Sequence, residues 1–544
     1  MREASHTVCV LFVTTGNVPY CDTWLVSRHC PTGARGPVPD SATVQVPRNV
    51  ADLVRRAARE ATADKPALIW QDRSITWSEL DASVDAAARA LRGLGLPGSA
   101  GHPARVAIAL PNVPDFAVAY FGALRAGLVV VAINPGYTQR EVDQLLTDSG
   151  AAVLIATAGV LATVGVPVAH RYTETPQEPG EPVDADTGGE DLAVLIYTSG
   201  TEGDPKGAML SHRALLANHE QVAAIKPPPI GADDVLLLAV PLFHAYGLNS
   251  GLGAVAWHGA TGVLLERFDP AESMNLIARH QITVVVAVPQ MIVAWSLLPD
   301  CGEAFATVRV AVSGAAPLDA TASGRFLAAT GHVVFEGYGL TETGPVLTTT
   351  LASPVPKTGS IGQPLPGVSI KLVAAGGEEI ELTEDDFDDD APGSPGTDPG
   401  EIVARGPNLF SGYWPDGRDG PAADGWWPTG DVAYADADGD LFLVDRLREL
   451  ILVSGFNVYP YEVEQVLQQH PAVSEAAVLG VPHPYTGQTV KAFVVTSEPV
   501  STEDLLGYCE RNLARFKCPT AIEFVPELPK SATGKVRKGE LGAL

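Results

Sequence analysis

The run "LIYTSGTEGDPKGAMLSH", Leu195 to His212, decides how the rest of this chain is read. It opens on an apolar β-type strand and passes into a loop of Thr, Ser and Gly that closes on Lys206. Small side chains let backbone N–H groups approach an anion, and hydroxyls and an ammonium add donors. A phosphate-binding loop is the reading, although Glu202 and Asp204 place two negative charges in it. The Walker pattern GxxxxGK[ST] is not met, because Gly207 follows Lys206 and no helix opens on GK[ST].

Around this loop, short Val- and Ile-rich runs bounded by turns alternate with helical stretches. "RVAIAL", "LVVVAIN", "AVLIYT", "DVLLLAVP", "GVLLE", "ITVVVAVP" and "VRVAVSG" all read as strands. That rhythm predicts an α/β protein with mainly parallel sheets covered by helices. From Asn49, "NVADLVRRAAREA" predicts an amphipathic helix with Asn49 as its N-cap. The uncharged run "AAVLIATAGVLATVGVPVA" is long enough for a bilayer span, but Gly159, Gly165 and Pro167 interrupt it. A buried strand, a turn and a short helix are expected there.

At 544 residues the chain is too long for one ordinary domain. Residues 1–45 show no sustained period and read as an extension, 46–445 as a large domain and 446–544 as a small one. The Pro/Gly-rich acidic run "GGEEIELTEDDFDDDAPGSPGTDPG" reads as a solvated loop. A formal net charge of −28 argues against nonspecific nucleic-acid or anionic-lipid contact, so any basic pocket is local. Cys9, Cys21, Cys30, Cys301, Cys509 and Cys518 lack CxxC spacing, and His6 and His29 complete no zinc pattern with them. A reduced, cytoplasmic protein without an integral membrane segment is expected, and peripheral membrane contact or a homodimer is compatible with this composition.

Further motifs follow in order: "PLFHAYGL" at Pro241, "SGAAPL" at Ser313, "EGYGLTETGP" at Glu336, "GSIGQPLPGV" at Gly359, "WWPTGDVAYADADGDLFLVDRLRELILVSGFNVYPYEVE" at Trp426 and "LPKSATGKVRKGEL" at Leu528. The set resembles the adenylate-forming, AMP-binding superfamily from about residue 49 onward. Its "ILVSGFNVYPYEVE" and "GYGLTETGP" are most similar to bacterial medium- and long-chain fatty acyl-CoA synthetases. The resemblance implies a large domain followed by a small mobile α+β domain. It also implies an ATP-dependent fatty acid:CoA ligase that forms acyl-AMP and pyrophosphate, then acyl-CoA and AMP, with ATP, Mg2+ and coenzyme A.

Residue roles follow from the same resemblance. Thr198, Ser199, Gly200, Thr201 and Lys206 would close over the phosphates, where the usual pattern has Thr in place of Glu202. Glu342 would hold Mg2+ with help from Thr198. Tyr338 would stack on the adenine with Gly314 and Ala315 on its other side, and Gly339 and Thr341 would belong to the same ATP/AMP-binding set. Asp431 and Arg446 would hold the ribose, Asp431 offering two acceptor oxygens to its hydroxyls. Lys535 would reach the reacting oxygens during adenylation, and His244 would stand beside the acyl site. Arg448 would be the hinge, and Ser454, Gly455 and Phe456 would leave room for the CoA arm. An acyl-AMP ligase that loads a carrier protein, an aryl or amino acid adenylation enzyme, and a catalytically silent nucleotide- or acyl-binding protein stay open as alternatives.

Overall fold

The computed structural model describes residues 47–541 apart from 100, 185, 199–204, 375, 381–395, 447–450, 454–455, 459, 484–486, 514 and 531–535. Of Asp445, Arg446, Leu452, Phe456, Asn457 and Gly487 it describes the backbone alone. All seven runs read as strands form strands, and the described residues build four sheets.

The first sheet has nine strands. Its centre is parallel, with Val235–Leu238, Val284–Ala287, Val310–Ser313 and Val334–Tyr338 hydrogen-bonded side by side. The helices Pro270–Arg279, Pro289–Ser296 and Ala320–Thr330 are among those connecting its strands. The second sheet has six strands and joins Arg105–Ala109 in parallel to Val129–Ala132 and Val153–Ala156. Strands covered on both faces read as continuous apolar runs, and Val129–Ala132 is buried throughout. Each such Val contributes about 1.5–3 kcal/mol relative to an exposed one.

Thr76 and Glu79, and again Thr138 and Glu141, form capping boxes that start the helices Trp77–Gly93 and Gln139–Ser149. The Asn49 expectation is corrected. The helix is Asp52–Glu60, its N-cap is Ala51, and no side chain caps it. Asn49 instead donates Nδ2 to the Leu124 carbonyl at 3.1 Å and accepts from the Ala51 amide at 2.8 Å. The Asn49 oxygen still takes an amide two residues on, but the helix itself starts later, and the amide nitrogen is held by long-range packing. The Ala151 run resolves into the strand Val153–Ala156 and the helix Ala158–Thr163, and no described helix is long and apolar enough to cross a membrane.

The third sheet is antiparallel and five-stranded, with Trp427–Ala435 between Gly400–Arg405 and Leu441–Arg446. The fourth, from Ile451 onward, pairs the long strands Val473–His483 and Gly487–Thr496. It has its own apolar core, which includes Ile451, Val458, Val463, Leu467, Val478 and Val494.

Candidate active site

The opening loop is the tip of a hairpin. The strands Leu192–Thr198 and Lys206–Ser211 run antiparallel, with Thr198 opposite Lys206. The helix His212–Ala223 begins only after the second strand, which is the physical reason that the segment is not a Walker loop. Ser199, Gly200, Thr201 and Glu202 lie outside the described residues.

The second strand also carries a partner on its other side. Met209 N donates to the Gly412 carbonyl at 3.0 Å, Ser411 N to Met209 at 2.8 Å and Trp414 N to Gly207 at 2.8 Å. This ladder sets Tyr413 beside Lys206, whose Nζ lies 5.3 Å from the tyrosine ring centre and 3.6 Å from the Asp419 carboxylate. Tyr413 Oη in turn donates to Glu342 Oε1 at 2.6 Å.

Glu342 sits in the short turn Thr341–Thr343 and is buried. A Cβ on Gly339 would come 1.9 Å from the Pro345 carbonyl oxygen, so only glycine allows this fold of the turn. Across the cavity, Tyr338 Oη donates to Asp431 Oδ2 at 2.7 Å, both residues being buried. The ladder between Trp427–Ala435 and Leu441–Arg446 sets the Asp431 backbone directly opposite that of Arg446. Gly314 follows the strand Val310–Ser313, and a Cβ there would meet Tyr246 Oη at 3.3 Å. Ala315 holds φ at +70°, a left-handed conformation that non-glycine residues rarely adopt.

Thr198, Lys206, His244, Gly314, Ala315, Tyr338, Gly339, Thr341, Glu342 and Asp431 all line one cavity of about 1050 Å³. Arg448, Ser454, Gly455 and Lys535 lie outside the described residues, and the side chains of Arg446 and Phe456 are not described. Val222, Val240, Val286 and Val312 line the same cavity and give it an aliphatic part.

Burial sets the charge of the imidazoles along it. Desolvation pushes His244 down to about 4. It pushes His219 down to about 3, with His258 and Arg56 adding to the fall and Asn249 opposing it. Both rings are uncharged at neutral pH. A cation at the polar end would be held by the Glu342 carboxylate and the Thr198 hydroxyl. Among the described residues no three His, Cys, Asp or Glu side chains converge on a metal position. Few protein oxygens beside bound phosphate is how Mg2+ is usually held, so these residues fit it.

An AMP-binding enzyme model matches residues 54–414, and the C-terminal domain model of AMP-binding enzymes matches 462–535. The chain belongs to the AMP-binding enzyme family. It is 34% identical to a long-chain-fatty-acid–CoA ligase of Salmonella typhimurium, over 91% of this chain and 94% of that protein. It is also 36% identical to a feruloyl-CoA synthase of Amycolatopsis, over 86% of this chain and 93% of the relative. Among solved structures it resembles ATP-bound MatB from Rhodopseudomonas palustris, with a TM-score of 0.79 and 31% identity over 91% of this chain and 98% of that one.

For an AMP-binding enzyme, sequence reasoning missed Tyr413, Asp419, Tyr246 and His219. The "GYW" following "LFS" at Leu409 was the available signal for Tyr413. Tyr246 stands two residues after His244 in "PLFHAYGL", which was its signal, and Asp419 and His219 reach the cavity only through tertiary packing.

Proposed function

We propose that the chain is an ATP-dependent fatty acid:CoA ligase. The observation that carries this reading is one continuous cavity, which joins Lys206, Glu342, Tyr338 and Asp431 to an aliphatic part lined by valines. The fatty-acid ligase among its relatives supports the choice of acid.

In the first half-reaction a carboxylate oxygen bonds to the α-phosphorus of ATP, and the bond to pyrophosphate breaks. Two anions must meet, so the chemistry depends on fixed positive charge and a cation. Lys206 faces the β- and γ-phosphates, and Asp431 accepts hydrogen bonds from the ribose hydroxyls. Bound Mg2+ would neutralise charge on the phosphate oxygens, held by Glu342 and Thr198. Lys535 would neutralise the oxygens at the reacting centre. In the second half-reaction the sulfur of CoA bonds to the acyl carbon and AMP leaves. That step needs a different face of the small domain, presented by rotation at Arg448, with Ser454, Gly455 and Phe456 beside the pantetheine arm. Residues 46–445 and 446–544 are the two bodies of this motion.

Mass spectrometry of products from a panel of acids with ATP, Mg2+ and CoA tests the reading. Acyl-CoA and AMP should form from unbranched fatty acids. Exclusive turnover of an aryl acid such as ferulate would replace fatty acid with the second reading, which the feruloyl-CoA synthase relative and the half-buried Tyr246 beside Gly314 favour.

A further inference from the structure

The strand that carries Asp431 departs from regular pairing where it meets the cavity. Against Gly400–Arg405, Val432 stands opposite Glu401 and Pro428 opposite Val403, so Thr429, Gly430 and Asp431 together face Ile402 alone. Three residues set against one push the chain out of the ladder as a bulge, while on its other edge the Asp431 backbone keeps its register with Arg446. Thr429, Gly430 and Asp431 all line the cavity, and so does Glu401.

A bulge strands backbone groups that a regular ladder would pair, and stranded groups need partners. Glu401 Oε1 accepts from the Gly430 amide at 3.0 Å. Thr429 Oγ1 donates to the Ile402 carbonyl at 2.9 Å and accepts from the Asp431 amide at 3.1 Å. Gly430 holds φ at +77°, and nothing lies within 4 Å of where its Cβ would be, so conformation rather than crowding calls for glycine. Two side chains thus clasp the bulge. Glu401 is partly buried, and its carboxylate belongs to a cavity proposed to take a polyphosphate. An anion is a poor choice there for binding phosphate, and its bond to the bulge supplies a different reason for it.

We propose that Glu401 is a positioning residue: through the Gly430 amide it sets the bulge that carries Asp431, and so aims the Asp431 carboxylate at the ribose hydroxyls. The inference deepens the ligase reading and rests on Asp431 as the ribose carboxylate. Tyr338 orients one oxygen of Asp431 from across the cavity, whereas Glu401 fixes the backbone next to it. A charged acceptor bonds an amide more strongly than a neutral one, and Gln would keep an acceptor at the same reach.

The test is pyrophosphate release by the full-length protein at saturating fatty acid and Mg2+, with ATP and with its dideoxy form, which lacks both ribose hydroxyls. Glu401→Ala should raise the KM for ATP about tenfold with little change in kcat, and Glu401→Gln should recover most of the loss. With dideoxy-ATP, Glu401→Ala should change KM less than about twofold, because the contact it aims is gone. Glu401→Met, similar in length and without an acceptor, gives the same comparison if the alanine variant does not fold. In an Asp431→Ala background, Glu401→Ala should add little. An equal rise for both nucleotides would leave Glu401 a structural or phosphate-directed role, and a full further rise in the Asp431→Ala background would mean direct contact with the nucleotide. Either result overturns the inference while leaving the ligase reading intact. If Asp431→Ala itself raises the KM equally for both nucleotides, the ribose role of Asp431 falls and the inference with it. No pyrophosphate release by the parent with any fatty acid would sink the ligase reading as well.

Discussion

Tyr338 Oη donates to Asp431 Oδ2 at 2.7 Å, so the strand leading into the Gly-rich turn is tied to the antiparallel ribbon that carries Asp431, the carboxylate proposed for the ribose. One carboxylate oxygen is thereby oriented before any ribose arrives. Tyr338→Phe keeps the ring expected to stack on adenine and frees the carboxylate. The KM for ATP should rise about fivefold with little change in kcat, whereas Asp431→Ala should raise it about a hundredfold or more. Pyrophosphate release against ATP concentration distinguishes the two, and equal effects would mean that Tyr338 does not act through Asp431.

A similar tie controls the other carboxylate. Tyr413 Oη holds Glu342 Oε1 at 2.6 Å, and a hydrogen bond to a charged group is worth about 1.5–3 kcal/mol. Tyr413→Phe should raise the Mg2+ concentration for half-maximal activity on the order of tenfold, and excess Mg2+ should recover most of the rate. Glu342→Gln should not be recovered in this way. A Tyr413→Phe enzyme with unaltered Mg2+ dependence would leave the tyrosine a merely structural role.

Much of this site was legible in the sequence, because its glycines and acids cluster in short runs whose backbone demands are local. Gly339 stands where a Cβ would collide with the Pro345 carbonyl and Gly314 where one would press on Tyr246, and the motif carries the first requirement on its face. Asp419 and His219 were not legible, and Tyr413 was marked only by its "GYW". Tyr413 and Asp419 arrive from a segment far from the loop, His219 lies on the helix just after it, and their neighbours are set by the ladder between 207–209 and 411–414 and by the stack on Trp257. Asn49 shows the same limit: its sequence context suggests a cap, but the Leu124 carbonyl that claims it is distant in the chain.

Gly339→Ala tests the turn directly. The added methyl meets the Pro345 carbonyl at 1.9 Å, and backbone cannot swing aside as a side chain can. A loss of about 3 kcal/mol is expected, seen as a lower thermal midpoint, together with loss of adenylation. A variant as stable and active as the parent would show that the turn accommodates the methyl.

Burial raises Glu336 to about 7, with the amides of Leu318 and Gly359 opposing the rise. Tyr461, which also senses Asp319 and Glu464, is the titratable neighbour from the small domain. The folded protein therefore keeps a proton that the unfolded chain loses near 4.5. Stability falls as pH rises between those values, by up to about 3 kcal/mol, and the penalty is complete above the folded pKa. Glu336→Gln removes the titration, so its thermal midpoint should gain on the parent's from about pH 5 to about pH 8. A constant difference across that range would show that Glu336 is not the titrating group.

The three-residue run Gly207–Met209 is bonded on one edge to the strand Leu192–Thr198 and on the other to the segment 411–414. A strand gripped from both sides cannot absorb a change of length, since a shift of one residue reverses the facing of every side chain along it. An inserted or deleted residue here would therefore dislocate Lys206, Tyr413 and, through the tyrosine, Glu342 at one stroke. Anyone recombining segments among such enzymes should place the crossover outside 206–211.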